Sequence, residues 1–167
     1  MATRVETALS KVEIVARTLE DYAARGVFRG FSRGAVASGK ITFKIVWHRD
    51  CLFEFVFDSN KNTMRFPLVL PDVPPDSSMY REFKAFLKSR QADDLPEHRR
   101  IDKAKAEIRP YNRGGNISLT LKLKDDDVEY GARKIIHLVN EIFLAFLQDG
   151  LYYDYMLETF DLDPDQP

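Results

Sequence analysis

Apolar residues at the start of the chain recur at spacings of three and four. This period predicts one face of an amphipathic α-helix. The residues on that face are Val5, Leu9, Val12, Ala16, Leu19 and Ala23. Thr3 and Glu6 have the spacing of a capping box at the start of the helix, and Gly26 is placed to end it in a left-handed turn.

Beyond residue 40 the period changes to two, which is typical of strands with one buried face. Three alternating runs are separated by the turn-rich segments 48–50 and 58–62. Their apolar positions are Ile41, Phe43, Ile45 and Trp47, then Phe53, Phe55 and Phe57, then Met64, Phe66, Leu68 and Leu70. They predict an antiparallel meander, with a further leading strand within 28–37. Pro67 and Pro71 predict that the third run is an edge strand or ends early, because proline has no N–H for a sheet ladder.

The second half of the chain predicts a short helix, a hairpin and a long helix. Residues 74–77 cap the short helix, which carries Met79, Phe83, Phe86 and Leu87 and is followed by a polar loop over 91–100. Paired glycines within 112–116 mark a hairpin turn, and Ile117, Leu119, Leu121 and Leu123 alternate after it. Asp125–Asp127 cap the long helix, whose apolar stripe is wide enough for a central position or for sharing with a partner. The stripe comprises Val128, Ala132, Ile135, Ile136, Leu138, Val139, Ile142, Phe143, Phe146 and Leu147.

Together these patterns predict an α+β protein in the order α-β-β-β(-β)-α-β-β-α. Its antiparallel sheet is expected to carry α-helices packed on one face. The length of 167 residues and the apolar share of 44% fit one domain over 1–160, followed by an acidic tail over 161–167. No apolar run is long enough for a signal peptide or a membrane span. One cysteine, Cys51, fits a reducing compartment, so we expect a cytoplasmic protein without a membrane partner.

The order of elements from Val5 to Leu147 resembles that of the type III secretion chaperone-like fold, also found in YbjN-type proteins. The resemblance lies in element order and involves no signature motif. It implies a small non-catalytic α+β protein that dimerises and holds another polypeptide. The nearly neutral net charge of −1 and the long loop before Ile101 differ from the secretion chaperones proper.

Residues that commonly perform chemistry are scattered along the chain. His48 and Cys51 have the spacing of half a metal site, but a zinc site needs about two further ligands, and the simpler interpretation is a hairpin turn. His137 falls off the main apolar stripe of its helix, beside Leu138, where a packed or half-exposed imidazole is expected. We therefore predict no catalytic residue, cofactor or metal, and a non-enzymatic protein. The hypothesis of an enzyme built from His48, Asp50 and His137 remains as an alternative.

Charge is polarised although the net charge is small. Residues 26–49 contain five basic side chains and no acidic one. Residues 99–113 contain six basic and two acidic side chains, and residues 149–165 contain six acidic side chains and no basic one. A basic sheet face has three possible uses: it can be merely solvated, it can bind the acidic tail of its own or a neighbouring chain, or it can bind nucleic acid. The last hypothesis uses the cations Arg29, Arg33, Lys44, Arg109 and Arg113, with Phe28, Phe31 and Tyr111 for base stacking.

An aromatic cluster follows the long helix. Its members Tyr152, Tyr153, Tyr155, Met156 and Phe160 suit a partner-binding surface, since tyrosine gives large contact area at low entropic cost. Their helical spacing equally suits packing on the chain's own core. The sequence thus predicts a protein-binding or chaperone-like module that forms a homodimer through the last helix or a sheet edge. Nucleic-acid binding is the alternative function.

Overall fold

The computed structural model describes residues 4–160, with side chains described from residue 10 onward. Four α-helices and six β-strands form in this part of the chain. In chain order they are α1 Arg4–Ala24, β1 Gly30–Arg33, β2 Lys40–Val46, β3 Leu52–Asp58, β4 Thr63–Leu70, α2 Ser78–Ser89, β5 Ala106–Arg113, β6 Asn116–Leu123, α3 Val128–Glu141 and α4 Tyr153–Phe160. A short 3₁₀ turn, His48–Asp50, joins β2 to β3, and α3 continues as a π-helical segment over Ile142–Gln148.

All six strands pair antiparallel in the order β1-β2-β3-β4-β6-β5. Inward-facing residues of β2 and β3 alternate with exposed or half-buried ones, as the period of two predicts. The described helices cover the buried face, and none of them packs on the other face. The predicted α+β class is confirmed, and the leading strand within 28–37 is β1.

The prediction for the third strand is wrong. β4 lies between β3 and β6, in the interior of the sheet, and it neither forms an edge nor ends early. The register of its pairing with β6 shifts between Phe66 and Leu70, so Pro67 falls where ladder pairing is interrupted. The same irregularity turns Leu68 outward, where it is 47% exposed, and buries Val69. A bulge therefore admits proline to a central strand.

The caps predicted from sequence form as expected where the structure describes them. The Ser77 hydroxyl accepts a hydrogen bond from the Tyr80 N–H at 3.2 Å, and the Asp127 carboxylate accepts one from the Tyr130 N–H at 3.1 Å. Gly26 ends α1 with a φ of 80°, in the left-handed region. The predicted capping box at Thr3 and Glu6 lies outside the described part of the chain or its described side chains.

The core is dominated by aromatic side chains from the sheet. Phe43, Phe55, Phe57 and Phe66 are fully buried, and the Phe55 ring meets the Phe43 and Phe66 rings edge to face at 6.0 and 5.3 Å. The wide stripe of α3 and its π-helical continuation is buried by the sheet and the other helices of the same chain. This use of the stripe leaves no broad apolar face on α3 for a partner.

The aromatic segment after the long helix folds back on the core. Met156 is buried, Phe160 packs edge to face on Phe143 at 5.1 Å, and Tyr152 packs on Phe146 at 5.1 Å. The hydroxyl of Tyr155 donates a hydrogen bond to the Pro71 carbonyl, and burial raises the pKa of this tyrosine. The aromatic cluster thus packs mainly on the core of its own chain, while Tyr153 is 44% exposed. The predicted acidic tail over 161–167 lies outside the described residues.

Candidate docking face

Charged and apolar side chains occur together on the sheet surface opposite the helices. We call it the open face. Its side chains come from alternate positions of the strands, and β1 contributes only Gly30 and Ser32. The other members are Lys40, Thr42, Lys44, Val46, Leu52, Glu54, Val56, Asp58, Thr63, Arg65, Leu68, Glu107, Arg109, Tyr111, Arg113, Ser118, Thr120 and Lys122.

Most charges on the open face stand opposite a charge of the other sign. The register of β2 with β3 sets Lys44 across from Glu54 and Lys40 across from Asp58. On the other half of the sheet Lys122 stands across from Glu107. Such cross-strand pairs stabilise a sheet modestly.

Two cations of the open face stand apart from these pairs. Arg65 lies across from Val56 and Thr120, and Arg113 across from Asn116. With Arg109, which binds Glu107 at 2.8 Å, they bring the face to six cations and three acids. The open face is therefore moderately cationic, not a continuous basic stripe.

Apolar side chains form the other part of the face. Leu52 is 61% exposed and lies directly across from the half-buried Val46 at the end of the β2–β3 pair. Leu68, turned outward by the β4 irregularity, lies on the neighbouring strand, and Tyr111 on β5 is 62% exposed. Exposed apolar groups concentrated on one surface are typical of interaction sites.

The cations predicted for nucleic-acid binding do not share one surface. Arg33 turns to the helix side, where it binds Glu13 at 2.8 Å and thereby lowers the pKa of that carboxyl. Arg29 binds Asp50 at 2.8 Å. Lys44, Arg109 and Arg113 do lie on the open face.

Only one of the three predicted stacking residues is available on that face. Phe28 is buried against Trp47, and the partly buried Phe31 stacks on Phe43 at the border of the core. Tyr111 is exposed on the open face. The structure thus brings together three of the five predicted cations with one aromatic ring.

The dispersed residues of the enzyme hypothesis each have a different partner. The His48 ring lies between Trp47 and Phe143, with both ring centroids at 4.4 Å. Asp50 binds Arg29, and His137 Nε2 lies 2.7 Å from a carboxylate oxygen of Glu141. Among the described residues, no three His, Cys, Asp or Glu side chains group as they would around a metal ion.

Burial of His48 gives stability a definite pH dependence. Desolvation, with the nearby Arg49 charge, lowers the pKa of the imidazole from 6.5 to about 4. Between these values the unfolded chain binds more protons, so the free energy of unfolding falls as pH falls from 6.5 through 4. The full loss attributable to His48 is about 3 kcal/mol at the low end of this range.

We expect the substitution His48→Phe to remove this pH-dependent part, because phenylalanine can stack between the same rings without titrating. Urea unfolding at several pH values should show a difference between variant and wild type that grows as pH falls. His98→Phe, at an exposed loop position, is the matched control and should show no such growth. A pH-independent difference for His48→Phe would contradict the assignment.

A second polar cluster surrounds the carboxylate of Glu141 at the end of α3. Arg90, which follows α2, donates a hydrogen bond to Oε2 at 2.7 Å, and Arg99 Nε lies 3.8 Å from Oε1. Both Glu141 and Arg90 are largely buried. The cluster attaches the end of α2 and the loop over 91–100 to α3, and we assign it a structural role.

A shallow cleft of about 250 Å³ lies between α1 and α3, lined by Ile14, Arg17, Thr18, Glu129 and Arg133. It is smaller than most pockets for small molecules. Arg133 binds Glu129, one turn earlier in α3, at 3.0 Å. The cleft therefore offers less to a ligand than the open face does.

Sequence reasoning missed the apolar part of the open face and the Glu141 cluster. Leu52 follows a turn directly and looks like an irregular position in the alternation, while Leu68 sits in phase with inward-facing residues. Strand order is needed to see that Leu52 and Leu68 lie on neighbouring strands. The Glu141 cluster joins residues 51 positions apart, and no local signal predicts such a contact.

No described helix is both long and apolar enough to cross a membrane. Comparison of the chain with protein-family models, with curated protein sequences and with solved structures finds no match.

Proposed function

We propose that this chain is a non-enzymatic, chaperone-like protein-binding module that holds a polypeptide on the open face. The observation that supports the proposal is the exposure of Leu52, Leu68 and Tyr111 on a sheet surface that no described helix covers. Apolar groups surrounded by charges are typical of surfaces that exclude water only when a partner binds. The resemblance of the element order to that of the type III secretion chaperone-like fold gives additional support.

The charge of the open face indicates the chemistry of the partner. Six cations against three acids favour a polypeptide with acidic residues. The exposed Leu52, Leu68 and Tyr111 favour leucine- or aromatic-sized side chains between those acidic residues. An extended segment presents side chains alternately to its two sides, so alternation of apolar and acidic residues would match the face. We infer a cytoplasmic location, where the thiol of Cys51 stays reduced.

The proposal is tested by selecting peptides from a random display library against the immobilised protein. We expect selected peptides to be rich in acidic and large apolar residues. The double substitution Leu52→Glu with Leu68→Glu should weaken their binding at least about tenfold, because each leucine contributes about 1.5–3 kcal/mol when fully buried. Leu151→Glu is the control, since Leu151 is 86% exposed and lies far along the chain from the open face.

The proposal is wrong if the library yields no binders, or if the control and the double variant bind the selected peptides equally.

Nucleic-acid binding remains the alternative, supported by Arg65, Arg113 and Tyr111 on one face. It predicts tight binding of single-stranded RNA at low salt, where phosphate contacts are strongest. We expect weak RNA binding, because the cross-strand acids Glu54 and Glu107 lie among the cations.

A further inference from the structure

The two edges of the sheet differ in how they are protected. β5 forms one edge and contains Pro110, which has no N–H to offer an added strand. Three charged residues of β5, Glu107, Arg109 and Arg113, are exposed. These are features by which natural proteins prevent pairing at a sheet edge.

β1 forms the other edge and lacks both the proline and the row of charged residues that protect β5. Residues 32–38 are all exposed, and the segment from Gly30 to Gly39 contains no proline. Its single charged residue, Arg33, turns back toward α1, where it lies 2.8 Å from Glu13 and 3.8 Å from Glu20. The backbone of β1 is therefore open to pairing with another strand.

We propose that β1 pairs antiparallel with β1 of a second copy of this chain, so that two six-stranded sheets join edge to edge. A two-fold axis perpendicular to the sheet keeps the helices of both copies on the same side. Directly opposite residues in an antiparallel pair point to the same side, so one residue of β1 must lie on the axis opposite itself.

Charge selects which residue lies on the axis. Centring on Arg33 sets two guanidinium groups against each other, and centring on Phe31 sets Arg29 of each copy opposite Arg33 of the other. Like charges directly opposite destabilise a strand pair. Centring on Ser32 sets Arg33 opposite the Phe31 ring and Gly30 opposite Gly34, with no like charges opposed. Centring on Gly30 opposes no like charges either, but it sets Ser32 opposite Phe28, which is buried and lies outside β1. The two-fold is therefore placed at Ser32.

Such a dimer places two open faces side by side, but it does not depend on what those faces bind. Its direct test uses charge at Ser32, whose side chain is exposed. In sedimentation velocity the wild type should dimerise, whereas Ser32→Lys and Ser32→Glu alone should each raise the dimer dissociation constant about fivefold or more. An equimolar mixture of the two variants should dimerise again, because lysine then meets glutamate.

A disulfide test locates the axis. In a background with Cys51→Ala, the substitution Ser32→Cys should give a covalent dimer on mild oxidation, since directly opposite Cα atoms lie within bonding range. Tyr111→Cys, exposed at the other edge, is the control and should stay monomeric.

Three outcomes would overturn the proposal: a monomeric wild type throughout the concentration series, no recovery on mixing, or covalent dimers from both cysteine variants. Peptide binding by the wild type, diluted below its dimer dissociation constant, separates the two proposals. If the monomer still binds selected peptides, the docking function stands independently of the dimer.

Discussion

Replacing Phe55 by alanine is expected to destabilise the protein by about 3–5 kcal/mol, the range for buried phenylalanine. The Phe55 side chain is fully buried in the middle strand of the β2–β3–β4 group, and its ring contacts Phe43 and Phe66 edge to face. Truncation leaves a cavity between stiff strands, and the surrounding rings have little freedom to fill it. This loss is a large part of the 5–15 kcal/mol that usually separates a folded domain from its unfolded state.

Urea unfolding followed by circular dichroism measures this loss as a shift of the midpoint at unchanged slope. Tyr111→Ala is the matched control, because Tyr111 also lies on the sheet but is 62% exposed. We expect the control to change stability by less than about 0.5 kcal/mol, as is usual for surface positions. Equal losses for the two variants would show that Phe55 does not lie in the core.

Removal of the Glu141 carboxylate is the second substitution with a large expected effect. Glu141→Ala should cost about 3 kcal/mol, because it leaves the largely buried guanidinium of Arg90 without its partner. Arg99 and His137 lose the same carboxylate. The loop over 91–100 should become more accessible to proteases, since Arg90, just before the loop, and Arg99, within it, both lose the carboxylate that attaches them to α3.

A double substitution distinguishes the buried pair from simple loss of packing. Arg90→Met with Glu141→Met removes both charges and keeps apolar volume, and it should recover most of the stability lost by Glu141→Ala. Urea midpoints of Arg90→Met, of Glu141→Met and of the double variant give the coupling energy directly. Additive losses, with no recovery in the double variant, would contradict a direct ion pair.

The sheet was largely predictable because strand periodicity is a local property. The alternation of Ile41, Phe43 and Ile45, and that of Leu119 and Leu121, each predict which side chains face the core, and the structure buries all of them. Caps were predictable for the same reason. Ser77 and Asp127 bind N–H groups three residues ahead, so only a few positions determine the geometry.

The position of β4 could not be predicted in the same way. Proline in a strand usually indicates an edge, and only the pairing with β6 shows that a register shift admits Pro67 to the interior. β6 follows β4 by more than forty residues, so the partner of β4 cannot be read from neighbouring sequence. The outward turn of Leu68 is a consequence of this irregularity.

The distribution of charge on the open face was the feature of the candidate site that the sequence predicted least well. Counting bases over 26–49 gives a cationic segment, but successive residues of a strand point to opposite faces. Arg33 therefore faces α1, whereas Lys44 lies on the open face opposite Glu54. The charge of a surface can be predicted from the charge of a segment only when the face and the strand register of each residue are known.

Mapping of backbone amide shifts in nuclear magnetic resonance spectra, with a peptide selected from the display library, tests the docking face most directly. We expect the largest changes on titration at the open-face positions of β2, β3 and β4, centred on Leu52 and Leu68, with little change in α1 or α3. Changes confined to the helices, or to the segment around Tyr153 and Phe160, would place the binding surface elsewhere and contradict the proposed function.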